Sequence, residues 1–268
     1  MNYKDRYRRR LGRIGQDVGQ AITNNTIDFI NKTFHSSSTY RIMTIETNHE
    51  DYEEIESIDA RVVQVERMGS LREIVLRPNE SLEVGMYVEV DSEWFLLIDK
   101  YGGTGSTSIK MLAIKINESI RWRDKEQYLD FLENKKIDED YVGEYHEFKC
   151  VTSATDLGSK SKQSKNEIEW NKHDVRLPVG QMFVSVEKND ITETIDLNDR
   201  FIFGRNSYEV IGIDDITFVD DDGYGIIQLT IKITTKSSED DFINNIAKPI
   251  YKVNLEIDNE DDNDGRLW

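Results

Sequence analysis

The amino-acid sequence predicts a mainly β protein with two small β-barrel or sandwich units and an N-terminal helical arm. After about Tyr40, short segments rich in Val, Ile, Tyr and Phe are separated by Gly, Asn and Asp, which is typical of strands joined by tight turns. Before Tyr40, apolar residues recur at the spacing of one helical face. The chain has 268 residues, which is enough for two domains that each bury a core.

The N-terminal arm, residues 1–40, is predicted to be helical. Its apolar residues at helical spacing are Tyr7, Leu11, Ile14, Val18 and Ile22. Gly12, Gly15 and Gly19 each weaken an isolated helix by about 1 kcal/mol relative to Ala, so we expect the helix to order by packing. We expect an interruption at Asn24–Asn25 and a second short helix over residues 27–34. An arm that is disordered in the free protein is the open alternative.

The first β-barrel domain is predicted to span residues 41–135. Its candidate strands are Ala60–Arg67, Leu71–Arg77, Tyr87–Val90, Glu93–Lys100 and Ser108–Ile116. Two short turns, Met68-Gly69-Ser70 and Asp91-Ser92, are expected to pair neighbouring strands antiparallel. About five or six such strands are enough for a small barrel or sandwich.

A second β domain is predicted over residues 136–250, followed by an acidic C-terminal tail over residues 251–268. Its candidate strands are Glu144–Val151, Met182–Glu187, Arg200–Phe203, Ser207–Ile213 and Gly225–Thr234. Between the two domains, Ile120–Tyr141 has aromatic and Leu residues among many charges, which favours a helix or an extended connector. The domain boundary is placed in this segment.

Charge is distributed unevenly along the chain. The first thirteen residues hold six basic residues and one acidic residue, a charge of +5, so the remainder carries −23 of a total of −18. A basic arm of this kind either grips phosphates or docks on the acidic body of an identical or a different subunit; docking is the favoured hypothesis. The predicted partner or subunit contacts are Tyr3, Arg6, Arg8, Arg9, Arg10, Leu11, Ile14 and Val18.

Two loops are predicted to carry further contacts. Gly102–Ser106 is interpreted as a hairpin tip rather than a nucleotide loop, because no helix follows it and Lys110 does not directly follow a glycine. Thr152–Asn166 is rich in Ser, Lys and Gly, which is typical of a long exposed loop. The predicted loop contacts are Gly103, Thr104, Gly105, Lys160, Lys162 and Lys165.

No catalytic, cofactor-binding or metal-binding residue is predicted. The single cysteine, Cys150, and four scattered histidines have no metal-ligand spacing. The acidic run Asp220–Asp222 precedes Gly223 and is explained by turn chemistry. No apolar stretch approaches the ~18–20 residues that a bilayer span needs. We therefore expect a non-enzymatic protein without cofactor or membrane contact, made in the cytoplasm.

Three stretches resemble a phage virion family. They are Arg77–Val88, followed by Trp94–Asp99 and by Lys115–Trp122. A further stretch, Asn198–Gly204 leading into Tyr208–Thr217, is similar to head-closure and connector (neck) proteins of long-tailed phages of Gram-positive bacteria. In that family small β-barrels assemble into rings below the portal.

The resemblance implies a structural virion protein that forms a ring of about six or twelve identical subunits at the head–tail junction. Its implied partners are portal or adaptor proteins, tail proteins and DNA that passes non-specifically through the lumen. A single-barrel stopper would be about half this length, which leaves room for another tail or collar ring component. A non-viral binding module and a carboxylate hydrolase are the remaining alternatives.

Overall fold

The computed structural model describes residues 3–4, 6–7, 18–46, 57–65, 70–102, 107–123, 145–153, 178–220 and 223–247. Within them, a helix is followed by two six-stranded β units. The prediction of a mainly β protein with an N-terminal helix is therefore confirmed. Of the helices in these ranges, none combines the length and the apolar character needed to cross a membrane.

Helix α1 (Val18–Thr33) leads into a short 3-10 turn, Phe34–Ser36. The helix continues through Asn24–Asn25, so the expected interruption is wrong. Each Asn destabilises a helix by at most about 0.7 kcal/mol relative to Ala. Two such residues do not end a helix that the neighbouring turns support. Tyr3 and Tyr7 are also helical, and their rings stack with centroids 6.5 Å apart.

The first unit is a closed antiparallel barrel with strand order β1-β2-β3-β6-β5-β4. Its strands are β1 (Tyr40–Glu46), β2 (Ser57–Gln64), β3 (Leu71–Leu76), β4 (Tyr87–Val90), β5 (Glu93–Tyr101) and β6 (Lys110–Lys115). The five candidate strands correspond to β2–β6. The closing strand β1 pairs with both β2 and β4 and was not among the candidates.

One of the two predicted hairpin turns of the barrel is confirmed. Asp91 and Ser92 both have left-handed backbone angles, φ 51° and 64°, as a two-residue hairpin loop between twisted strands requires. In the other predicted turn, Met68-Gly69-Ser70, Ser70 has turn geometry, and Met68 and Gly69 lie outside the described residues.

The second unit is an antiparallel sheet with strand order β10-β11-β12-β9-β8-β7. Its strands are β7 (Glu118–Arg123), β8 (Tyr145–Ser153), β9 (Gln181–Glu187), β10 (Arg200–Phe203), β11 (Asn206–Asp214) and β12 (Ile226–Thr234). The sheet curls until its two edge strands approach, because Trp122 on β7 meets Phe201 on β10 edge to face, with ring centroids 6.1 Å apart. This contact lies in the core of the unit.

The chain passes from one unit to the other between Lys115 and Glu118. The segment expected to connect the domains therefore begins as β7, a strand of the second unit, and its residues 124–141 lie outside the described residues. Ile120 and Trp122 are buried, while Ser119 and Arg121 are only half-buried. This alternation with a period of two residues is typical of a strand. In the sequence, the many charged residues that follow it made the pattern hard to recognise.

A third apolar cluster joins the two units. Leu96 and Ile114 on the outside of the barrel pack in one cluster with Val151 and Ile226 of the second sheet. These side chains are buried, so the barrel and the sheet share a continuous apolar contact.

Candidate functional site

Specific polar contacts hold the joint between the two units together. Tyr87, at the start of β4, points out of the barrel. Its hydroxyl donates to the backbone carbonyl of Lys149 on β8 at 2.7 Å and accepts from the backbone N–H of Glu187 on β9 at 3.1 Å. The side chain of one unit thus bridges two strands of the other.

The register explains why this bridge fits. Strands β8 and β9 pair at Val151↔Ser185, and the next hydrogen-bonded pair in the same register would be Lys149 with Glu187. The two strands separate at that point, and the Tyr87 hydroxyl occupies the gap. It satisfies a carbonyl and an N–H that a direct ladder bond would otherwise have joined.

Two glycines bring the backbones of the two units together at the joint. Gly85, just before β4, has φ 98°, and a Cβ on it would lie 1.9 Å from the carbonyl oxygen of Gly225. Gly225 itself leaves no room for a Cβ, which would lie 2.3 Å from the carbonyl oxygen of Phe218. Beside Gly225, Tyr224 of the second unit is buried in the core of the barrel.

A shallow cleft opens beside the joint and contains charged groups. It is lined by Glu46, Tyr87, Glu147, Phe148 and Lys149. Lys149 pairs with Glu46 of the barrel, and its ammonium lies 4.1 Å from the ring centre of Trp94. Glu147 pairs with Arg121 at 2.8 Å. Both carboxylates of the cleft are therefore held in ion pairs, an arrangement that fixes structure.

The cysteine lies beside the joint and is unreactive. Cys150 is buried, and burial raises the pKa of its thiol well above the ordinary value. The protonated thiol is a poor nucleophile. Among the described residues, no group of three or more His, Cys, Asp or Glu side chains is placed to hold a metal ion.

The arm root is the contact that fixes helix α1 to the barrel, and it consists of Phe34, Arg61 and Arg77. The ring of Phe34 lies between the two guanidinium groups, 4.7 Å from that of Arg61 and 4.8 Å from that of Arg77. Arg61 also donates to the carbonyl of Thr33 at 2.8 Å.

Arg77 is itself held by Asp59, which accepts a 2.9 Å bond from its Nε and a 2.7 Å bond from the Tyr40 hydroxyl. Partial burial pushes the pKa of Asp59 upward, but these hydrogen bonds outweigh it and leave the pKa below its ordinary value. The carboxylate therefore stays ionised at neutral pH and keeps Arg77 in place beside Phe34.

Beyond its root, helix α1 leaves large apolar side chains exposed. Ile22 is 62% exposed and Phe29 is 67% exposed. They are seven residues apart, about two helical turns, so they lie on the same face. Nearer the N-terminus, Tyr3 is 79% exposed and Lys4 and Arg6 are exposed as well.

A second exposed surface lies on the second unit, and we call it the acidic rim. Its acidic members are Asp190, Glu193, Asp196 and Asp215, and its apolar members are Leu197, Ile211 and Ile216. Lys188 connects two parts of the rim, because its ammonium lies 3.3 Å from a Glu193 carboxylate oxygen and 3.4 Å from the Asp215 carbonyl.

Two apolar members of the rim, Leu197 and Ile211, are brought together by backbone pairing. Asn198 donates to the carbonyl of Val210 at 2.9 Å, so Leu197 and Ile211 are neighbours in the same antiparallel alignment. Ile216 follows a turn in which the Asp214 carboxylate accepts from the N–H groups of Ile216 and Thr217. Ile216 is 80% exposed.

The structure describes few of the predicted contact residues. Tyr3 and Arg6 are exposed on the arm, and Val18 begins helix α1. The others lie outside the described residues: Arg8, Arg9, Arg10, Leu11, Ile14, Gly103, Thr104, Gly105, Lys160, Lys162 and Lys165. The acidic tail, residues 251–268, also lies outside them.

Sequence reasoning missed the joint, the arm root and the rim. For the rim a signal existed, because Leu197 and Ile216 are apolar residues beside acidic ones in segments with turn composition. For the joint no local signal exists, since Tyr87 and Glu187 are 100 residues apart.

The sequence comparisons associate the second unit with phage proteins. Residues 111–232 match the family model described as the YomX C-terminal domain, a phage-derived family. The matched segment contains β7–β11 and most of β6 and β12. The sequence matches no curated protein.

Solved structures give only distant similarity. The apo structure of K. pneumonia MrkH is 9% identical, with 81% of this chain and 87% of that chain covered and a TM-score of 0.21. The MrkH-c-di-GMP complex is 9% identical, covers 80% and 87% of the two chains, and has a TM-score of 0.22. Similarity at these TM-scores carries no argument about this chain.

Proposed function

We propose that this chain is a structural phage virion protein that assembles with identical copies into a ring at the head–tail junction. DNA passes through the ring without chemical change, and the ring joins portal or adaptor proteins to the tail. The phage-derived family match over residues 111–232 supports a phage role. The stretches that resemble connector proteins favour the neck.

The observation that carries the proposal is the exposed apolar face of helix α1. The two β units beside it are joined by buried contacts. The arm root fixes the base of the helix to the barrel, yet Ile22 and Phe29 remain mostly exposed. A subunit that presents such a face gains stability when another subunit covers it. A head-to-tail contact of this type closes into a ring when the rotation permits.

Charge supports the passage of DNA through such a ring. The chain has a net charge of −18, and the residues after the first thirteen together carry −23. An acidic lumen repels the phosphate backbone and favours sliding over binding. Base recognition has no part in this proposal.

The proposal also assigns no catalysis to the chain. The buried, protonated Cys150 and the ion-paired carboxylates of the joint cleft have structural roles that need no substrate. A hydrolase would instead need two carboxylates that converge on an open cavity.

The test is the mass and shape of the purified full-length chain. We expect a closed oligomer of constant mass over a wide concentration range, formed alone or on addition of the phage's portal and tail proteins, with a central opening in electron micrographs. A monomer under all these conditions would contradict the proposal.

Immunogold labelling of intact virions distinguishes the neck from the alternative position. Label at the head–tail junction supports the connector role. Label along the tail or at its tip instead supports another tail or collar ring component, and unlabelled virions contradict both.

A further inference from the structure

We infer that the acidic rim of one copy is the docking surface for helix α1, Lys4 and Arg6 of the next copy. This inference rests on the proposed ring and adds the two surfaces that make its subunit contact. The partner is a second copy of this chain, and the contact joins two different surfaces, as a ring requires.

The donor surface has a narrow apolar face and a positive end. Ile22 and Phe29 lie on one face of the helix, about 10 Å apart along its axis. Lys4 and Arg6 lie toward the N-terminal end and are exposed. This end of the chain carries +5 within its first thirteen residues.

The acceptor surface has the complementary composition. Leu197 and Ile211 form an exposed neighbouring pair, and Ile216 adds a third apolar side chain. Asp196 precedes Leu197 and Asp215 precedes Ile216 in the chain, and the Lys188 ammonium contacts both Glu193 and the Asp215 carbonyl. Exposed apolar side chains beside acidic residues suit an apolar helix face together with the exposed Lys4 and Arg6.

The receiving surface belongs to a neighbour and not to the same copy. The arm root fixes the C-terminal end of helix α1 against the barrel through Arg61 and Arg77. With the helix in that position, Ile22, Phe29 and the rim's Ile216 are all still exposed within one chain. The two surfaces can therefore cover each other only between copies.

Cysteine cross-linking tests the contact directly. One full-length chain carries Phe29→Cys, and a second chain of different mass carries Ile211→Cys; the native Cys150 is buried. After mixing and mild oxidation, we expect a covalent pair that contains one chain of each mass. The matched control replaces Ile211→Cys with Val63→Cys, a similarly exposed position on the barrel, and should give at least tenfold less product.

A charge exchange provides an independent measurement. Lys4→Glu with Arg6→Glu, or Asp190→Lys with Glu193→Lys, should each weaken assembly about tenfold, and the four changes together should restore it. Glu118→Lys, an exposed acidic position on β7 outside the rim, should leave assembly unchanged.

The outcomes separate the two proposals. If rings form without the Phe29–Ile211 cross-link, and if the charge exchange does not change their assembly, this docking surface is overturned. The proposed ring would remain intact. A wild-type chain that stays monomeric would overturn the ring and the docking surface together.

Discussion

The hydroxyl group of Tyr87 accepts a hydrogen bond from the backbone N–H of Glu187, 100 residues further along the chain, at 3.1 Å. Because the same hydroxyl donates to the carbonyl of Lys149, it replaces one ladder bond of the second sheet. The barrel therefore contributes an atom group to the hydrogen-bonding pattern of its neighbour. Separating the two units would expose both backbone groups or force them to pair directly.

Replacing Tyr87 with Phe should destabilise the protein. The ring keeps its apolar packing, but the Lys149 carbonyl and the Glu187 N–H lose their shared partner in a buried site. Leaving buried polar groups unsatisfied costs about 1–3 kcal/mol each, so we expect the free energy of unfolding in urea to fall by about 2–4 kcal/mol. Tyr208→Phe, at a half-buried position in β11, is the matched control and should change it by less than about 1 kcal/mol.

Amide hydrogen exchange at Glu187 gives a second readout of the Tyr87→Phe variant. Because the Glu187 N–H loses its acceptor in this variant, we expect its amide to exchange faster than in the wild type. An unchanged free energy of unfolding together with unchanged protection of the Glu187 amide would contradict the role of the hydroxyl.

The stability of the protein should decrease in alkaline solution. Burial raises the pKa of both Tyr87 and Cys150 well above their ordinary values of 10.0 and 9.0. The folded protein retains these two protons where the unfolded chain loses them, so their contribution is complete below about pH 9 and decreases as the pH rises. Each proton contributes a slope of about 1.4 kcal/mol per pH unit.

Urea unfolding at a series of pH values from about 8 to 11 measures this slope. The double variant Tyr87→Phe, Cys150→Ala should have a lower starting stability and a shallower alkaline slope than the wild type. Parallel slopes for the two proteins would show that other groups cause the alkaline loss.

Replacing Gly85 with Ala should be strongly destabilising. The new Cβ would lie 1.9 Å from the Gly225 carbonyl oxygen, on a backbone with φ 98°. Gly223→Ala is the control, because its φ is 89° but nothing lies within 4 Å of its Cβ position. We expect about 1 kcal/mol for the control, the cost of a positive φ, and at least about 3 kcal/mol for Gly85→Ala. Equal losses would mean that the two backbones do not approach this closely.

Replacing Arg61 with Lys should loosen the base of helix α1 while leaving the barrel folded. Lysine cannot reproduce the planar contact with Phe34 or the bonds to the carbonyls of Thr33 and Phe34. We expect amide exchange in Val18–Thr33 to accelerate about 5- to 30-fold, equivalent to about 1–2 kcal/mol. Arg205→Lys, in the exposed turn before β11, should leave these rates unchanged, and equal acceleration in both variants would contradict the assignment.

Most strands could be predicted because their evidence is local. Arg200–Phe203 and Tyr87–Val90 have the same bounds in the prediction and in the structure, since each is a short apolar or alternating run between turn residues. Strand β1 was missed because the exposed apolar Ile42, and Arg41 in the same register as the buried Met43 and Ile45, break the alternation of apolar and polar residues. The predicted break in helix α1 is wrong because the low helix propensity of Asn24–Asn25 costs less than the adjacent turns supply.

The contacts that define the candidate sites could not be predicted in the same way. The placement of Phe34 between Arg61 and Arg77 and the insertion of Tyr87 between Lys149 and Glu187 depend on tertiary alignment. Neither pattern has a periodicity or a spacing that a single sequence reveals.

The burial of Tyr224 in the barrel has a consequence for synthesis. The last barrel strand ends at Lys115, but the barrel core includes Tyr224, which the ribosome adds 109 residues later. The nascent barrel therefore lacks this one core side chain until Tyr224, which follows β11, has left the exit tunnel. Chain elongation at about 5–20 residues per second makes this interval several seconds long, a period in which a chaperone has access to the incomplete barrel.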